Sequence, residues 1–195
     1  MKEAFDASLF YRTEPWHEGL DATAFSSEME KIDKYIKEQA ERDMKSRVSA
    51  VFVLLEPKSE VIRGYYTLSS LGIVFDDLPK NVQRKLPRYP LVGATLLGRL
   101  GVDRSYKNQL QNRLGKNPRF GEFLLVDALQ RALEGAGTVG SALMIIDVLK
   151  PTGEEIKCGV KNPMTFYKQY GFQPFPGDDR RVFKPMKTIE NEWKQ

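Results

Sequence analysis

A chain of 195 residues, 41% apolar and with a formal charge of +4, is long enough to bury its own core and too apolar to remain disordered. One cysteine, Cys158, and one histidine, His17, exclude an intrachain disulfide, a Cys/His zinc site and any relay through two histidines. The start, MKEAFDASLFYR, lacks a basic segment followed by an apolar run, and no apolar stretch reaches the roughly 18 residues of a membrane span, so a cytoplasmic protein is expected.

Phe25, Met29, Ile32, Ile36 and Ala40 recur at helical spacing behind Ser26 and Ser27, which predicts one amphipathic helix over Ser26–Met44 with a serine cap. The β-branched and aromatic runs VSAVFVLLEP and VIRGYYTLSS, joined by Pro57-Lys58-Ser59-Glu60, predict a hairpin. A short polar helix over Pro79–Lys85 and an irregular Leu86–Pro90 (LPRYP) come next, because each proline restricts the residue before it. Ala94–Asp103 reads as a central strand, and Gly121–Glu134 as a helix stopped by Gly135 and Gly137. Ala142–Leu149 is a continuous apolar strand of the kind buried on both faces. A last helix, Pro163–Tyr170, has Asn162 as its cap and Gly171 as its stop, and strands Phe172–Phe175 and Arg181–Met186 follow around a GDD turn. Without repeats or linkers, residues 1–195 form one mixed α/β domain.

Charge is uneven: residues 1–50 carry eight Lys/Arg against eleven Asp/Glu, whereas Leu78–Phe120 carry ten against one. A block that basic suits nucleic acid, the phosphates of a nucleotide cofactor or an acidic partner, and is also compatible with a merely solvated face. The order strand, polar connection, helix gives a phosphate site when backbone N–H groups meet the anion at the helix N-terminus. KNPRFGE would place Gly121 there, with Lys116 and Arg119 beside the ligand.

Taken in order, GYYTLSS, LPRYP, ATLLGRLGVDRSY, GEFLLVDALQRALE, FYKQYGF and FKPMKTI resemble the GNAT acetyltransferases, and more narrowly the GNAT-type toxins of bacterial toxin–antitoxin modules, from about Phe25 to Ile189. The resemblance implies a mostly antiparallel mixed sheet flanked by helices, and acetyl-CoA as the acyl donor. Leu100, Gly101 and Val102 would meet the pantetheine arm and Lys116, Asn117, Arg119, Phe120, Gly121 and Glu122 the pyrophosphate, with Asn162 and Phe166 also near the cofactor. The family's Gln/Arg-x-x-Gly-x-Gly loop aligns with Lys116–Gly121, where Arg119 stands for the first glycine and about nine extra residues precede it, so 106–117 looks like an insertion.

Tyr167 matches the family's general acid toward the departing thiolate, a task a phenol proton suits; the alternative is that Tyr167 and Phe166 are aromatic core. A deprotonated amine would attack directly, the oxyanion being met by a backbone amide near Val102. Asp103 and Glu122 are candidate bases by proximity, although carboxylates there also serve as caps or ion-pair partners. Nothing in the sequence singles out Cys158 as an acyl carrier. The toxin resemblance implies charged tRNA as acceptor, with Arg84, Lys85, Arg88 and Arg99 against RNA phosphates, and a ribbon-helix-helix antitoxin as partner; a homodimer is also compatible. The alternatives are a stand-alone acetyltransferase for a small amine or a protein amine, and a catalytically weak CoA- or partner-binding protein.

Overall fold

The structure, a computed structural model, describes residues 11–194. Its strands are β1 (Thr13–Pro15), β2 (Ala50–Leu55), β3 (Ile62–Val74), β4 (Leu91–Val102), β5 (Leu143–Asp147), β6 (Gln173–Phe175) and β7 (Asp178–Pro185). Its helices are α1 (Glu30–Glu38), α2 (Ala40–Lys45), α3 (Lys80–Gln83), α4 (Arg104–Leu114), α5 (Phe120–Val139), α6 (Gly153–Lys157), α7 (Pro163–Gln169) and α8 (Met186–Trp193). The strands follow the order β1-β2-β3-β4-β5-β7-β6, with antiparallel ladders at β1–β2, β5–β7 and β6–β7 and a parallel one at β4–β5. This is the mixed α/β class the sequence predicts. By contact density the chain divides into two compact units, one running to Thr67 and resuming over Arg99–Ala128, the other made of Leu68–Gly98 and the chain from Leu129 onward. Strands β3 and β4 and helix α5 pass from one to the other.

In the first unit the predicted helix over Ser26–Met44 is two helices, because the backbone leaves helical geometry at Gln39 (φ −122°, ψ −32°). The serines do not cap it. Asp33 in the first turn of α1 reaches back instead, accepting from Ser27 N at 2.8 Å, Ser27 Oγ at 2.6 Å and Ser26 Oγ at 3.2 Å. Ile32, Tyr35 and Ile36 form the buried stripe. Against them pack Phe25 and Tyr65, whose hydroxyl donates to Ile32 O at 2.7 Å. Gly101 on β4 is where these meet: a Cβ there would lie 2.5 Å from Ile32 Cγ2 and 3.1 Å from the Tyr65 ring. Strand β1, which sequence periodicity does not reveal, is tied to α5 by Thr13 Oγ1 donating to Asp127 Oδ2 at 2.6 Å, an oxygen that also accepts from the Tyr66 hydroxyl.

In the second unit Leu143–Ile146 of β5 is buried throughout, as a continuous apolar run requires when both faces and both edges are covered. Helix α5 does not stop at Gly135 or Gly137. Both are solvent-facing with no atom near a would-be Cβ, and the helix tolerates them, ending at Gly140 in the left-handed region (φ +76°). Strand β7 begins at Asp178, so the turn is Pro176–Gly177 rather than GDD, and Met186 opens α8 instead of closing a strand. The hydrophilic stretch after Pro151 forms α6, nucleated by a Thr152–Glu155 capping box.

Two glycines give opposite expectations. Gly101→Ala should lower the unfolding free energy by about 1–3 kcal/mol, since the new methyl overpacks a closed site. Gly135→Ala should raise it by about 0.5–1 kcal/mol through helix propensity alone. Urea unfolding of both variants measures the difference in sign.

Candidate functional site

The last residues of β4 carry the first part of the site. The β4–β5 ladder runs from Ala94↔Leu143 to Leu97↔Ile146, whereas β4 itself continues to Val102. Asp103 N donates to Arg63 O on β3 at 2.8 Å, and the Gly101 carbonyl also faces β3, 3.3 Å from a would-be Cβ of Gly64. Backbone groups alternate between the two edges of an extended strand. Leu100 and Val102 therefore direct their N–H groups to the opposite edge, past the end of the β5 register, and both are partly exposed while Gly101 is buried. An extended amide-bearing chain such as pantetheine would find strand-like donors there. The packing around Gly101 already explains why that position is glycine.

Asp103 is not placed as a base. Its carboxylate is 1% exposed, with Oδ1 accepting from Tyr106 N at 2.9 Å as the cap of α4 and Oδ2 accepting from Arg63 Nη1 at 2.9 Å. Arg63 also donates to Glu56 at 2.7 Å and lies over the Tyr106 ring. The segment read as an inserted loop is α4, which buries Tyr106 and Leu110 and ends at Gly115 (φ +65°). Phe120 is likewise a core anchor and not a cofactor contact: it is fully buried, stacked on Tyr106 and edge-on to Tyr11.

Between α4 and α5 lies the phosphate-loop candidate. Lys116 is half-buried and Asn117 exposed, the latter accepting from Arg119 N at 3.1 Å through its Oδ1. Arg119 adopts the left-handed region (φ +53°), the conformation glycine favours, so the sequence departure at this position leaves a glycine-like backbone at the cost of about 1 kcal/mol. Its carbonyl accepts from Phe123 N at 3.1 Å. Gly121 and Glu122 sit in the first turn of the 20-residue α5, whose leading N–H groups have no carbonyl one turn back to bond. The Arg119 guanidinium pairs with the Glu122 carboxylate, one oxygen of which is buried without an aligned hydrogen bond. That carboxylate occupies the electropositive helix end and is therefore a stand-in for an anion, not a free base.

In the second unit, Asn162 caps α7, its Oδ1 accepting from Met164 N at 2.9 Å, with Pro163 at the first helical position. Tyr167 on α7 is 6% exposed, its ring edge-on to Phe166 at 5.2 Å and to Phe172 at 6.1 Å. Among the described residues its hydroxyl has no hydrogen-bond partner, and burial pushes that hydroxyl above the usual phenol range. That hydroxyl therefore stays protonated. Phe166 is half-buried and packs on Tyr170 at 5.0 Å, so it acts first as support.

Arg84, Lys85 and Arg88 are exposed in the connection from α3 to β4, next to Tyr89 (63% exposed) and Leu91 (61%). Arg99 falls in the other unit, its guanidinium 4.5 Å from the centre of the Tyr35 ring, which anchors it. Cys158 is exposed at the end of α6. Among the described residues no cluster of His, Cys, Asp or Glu could hold a metal ion, and no helix is long and apolar enough to cross a membrane. The sequence reading missed Lys184, buried at 3% exposure behind α7, because a lysine in a strand ordinarily signals solvent.

No family model matches the chain. The probable toxin TacT of Sinorhizobium fredii (strain NBRC 101917 / NGR234) is 30% identical over 171 residues, which cover 88% of each chain. Among solved structures, AtaT complexed with acetyl-methionyl-tRNAfMet is similar over 94% of this chain and 99% of its own, with a TM-score of 0.76 and 24% identity. A tyrosine-to-phenylalanine variant of KacT is similar over 93% and 98%, with a TM-score of 0.75 and 23% identity. AtaTR bound with acetyl-CoA is similar over 94% and 98%, with a TM-score of 0.73 and 23% identity.

The roles of Asp103 separate on measurement. Asp103→Asn should lower stability by about 3 kcal/mol, because it keeps a capping oxygen but removes the buried charge that Arg63 pairs with. Chemical unfolding reads that loss; a base would give an unchanged midpoint and a lost rate.

Proposed function

The chain belongs to the GNAT-type toxins of bacterial toxin–antitoxin modules, and on that premise we propose that it acetylates the α-amine of the aminoacyl group on charged tRNA, with acetyl-CoA as donor. Residues 1–195 are then one acetyltransferase domain, working in the cytoplasm where charged tRNA is found. A ribbon-helix-helix antitoxin is its partner, as AtaT is bound to the C-terminus of the antitoxin AtaR. The acceptor is carried over from AtaT, complexed with acetyl-methionyl-tRNAfMet.

The observation that carries the chemistry is Tyr167, buried by its ring and unpartnered at its hydroxyl. Bound acetyl-CoA supplies a thioester acyl group; a neutral amine attacks it, the C–N bond forming and the C–S bond breaking, while the amine's surplus proton passes to water. In our reading, Leu100 and Val102 offer backbone groups to the pantetheine arm, and a backbone amide near Val102 meets the oxyanion. Lys116, Asn117, Arg119, Gly121 and the start of α5 hold the pyrophosphate, Arg119 exchanging Glu122 for phosphate oxygen. Asn162 fixes the start of α7, Phe166 steadies Tyr167, and Tyr167 gives its phenolic proton to the leaving sulfur. Arg84, Lys85, Arg88 and the Tyr35-anchored Arg99 face RNA phosphates, which makes association strongly salt-dependent.

Calorimetric titration of acetyl-CoA tests the donor half: micromolar binding by the wild-type chain, lost in Gly121→Trp, is expected, and a wild-type chain that does not bind would leave a GNAT scaffold without this donor. Acetylation of charged tRNA tests the rest. Tyr167→Phe should cut kcat by about 100-fold while leaving the Kd for acetyl-CoA within about threefold. Because burial raises the Tyr167 pKa, the acid form persists through alkaline pH. The kcat profile should therefore show no fall as pH approaches about 10, where an ordinary phenol would lose its proton.

A further inference from the structure

Lys184 on β7 is an ammonium where an apolar side chain would fill the same space. It is 3% exposed, and its Nζ donates to Tyr170 O at 2.8 Å and to Glu192 Oε2 on α8 at 2.6 Å. Removing an ammonium from water is costly unless fixed partners replace the water, and a hydrophobic residue of similar volume often serves stability as well or better. The reason for lysine therefore lies in what it holds. Tyr170 is the residue that ends α7, so its carbonyl belongs to the electronegative end of that helix.

The turn it closes also carries Tyr167. Tyr167 O accepts from Tyr170 N at 3.1 Å and from Phe172 N at 3.3 Å, and Gly171 between them takes φ +79°. A Cβ on Gly171 would lie 3.2 Å from Lys184 Nζ and 3.5 Å from its Cε, so the turn is shaped around the ammonium as well as around the backbone. Phe172, 6.0 Å from Nζ, is the same ring that packs on Tyr167.

We propose that Lys184 is a positioning residue for Tyr167: by pinning the Tyr170 carbonyl to β7 it fixes the last turn of α7 and hence the direction of the phenol that gives up its proton. Lys184 touches neither donor nor acceptor; it acts through the backbone, with Glu192 compensating its charge. The inference rests on the reading of Tyr167 as proton donor, and its test separates the two.

Tyrosine labelled at Cζ gives one ring resonance for Tyr167 in the free protein, identified by its absence from Tyr167→Phe. In Lys184→Met that resonance should shift, while Lys187→Met on the exposed face of α8 leaves it in place. With acetyl-CoA and charged tRNA, Lys184→Met should lose about 10- to 100-fold in kcat with KM for acetyl-CoA little changed. In a Tyr167→Phe background the same substitution should change the residual rate by less than about twofold. If Lys184→Met does not fold, Glu192→Gln, at a half-exposed carboxylate, carries the same test with a smaller shift. An unmoved resonance in every variant that folds, or an equal loss of rate with and without the Tyr167 hydroxyl, overturns the proposal. A moved resonance in a chain that acetylates nothing upholds the positioning and overturns the acetyltransferase reading.

Discussion

Four Cα pairs of parallel ladder, Ala94↔Leu143 to Leu97↔Ile146, fix where β4 runs on beyond its neighbour. Strand β4 is twelve residues long and β5 only five, and the paired register ends at Leu97 while β4 still has Gly98–Val102 to run. The inner side of that continuation is fixed to β3 by Asp103 N and by the tight seat of Gly101 against Ile32 and Tyr65. A strand held that firmly on one edge keeps the Leu100 and Val102 N–H groups aimed toward the other. Pre-organised amides are what an extended ligand or a developing oxyanion requires, because no reorganisation is left to be done when charge appears.

Two ion pairs, each with one buried member, set the ends of α4 and α7. Asp103 with Arg63 starts α4, and Lys184 with Glu192 ends α7. Each combines a charge partner with a backbone group at a helix terminus, so the cost of removing the ion from water is offset by hydrogen bonds that also define geometry. Apolar substitutes would pack, yet would leave the helix ends to slide by a fraction of a turn. For α7 such a slide would move Tyr167, the proposed proton donor.

How much of this was legible in the sequence depended on whether the signal was local. Asn162 followed by Pro163 named the start of α7, and the apolar run around β5 named a strand covered on both sides, because capping and burial are written in adjacent residues. Helix α4 was unreadable as a helix: RSYKNQLQNRL buries only Tyr106 and Leu110, too few to show a period, and it is secured by Asp103 outside it. Gly135 and Gly137 looked like stops because the sequence does not show that α5 is carried past them by buried Leu129 and Ala132. Of the candidate site, Tyr167, Leu100 and Val102 came from family resemblance, not from any local pattern. Phe120 and Asp103 were drawn into the list by proximity in sequence, and tertiary packing gave them other work. Lys184 left no local trace, since its meaning lies in a carbonyl 14 residues away.

The replacement of a loop glycine by Arg119 shows how a chain can change residue and keep shape. At φ +53° the backbone accepts the strain that a glycine would avoid, and the side chain gained is a guanidinium. That guanidinium is held by Glu122 at a helix end which by itself favours an anion. The pair makes the unliganded loop locally neutral. On the proposed reading of this loop as the pyrophosphate site, the phosphate would displace a carboxylate tethered three residues away, whereas in a glycine-lined loop it would meet only water. Binding would then trade one charge-assisted contact for another, so the affinity gained from the arginine would be smaller than its charge suggests, while selectivity for a doubly anionic group over a single carboxylate would increase.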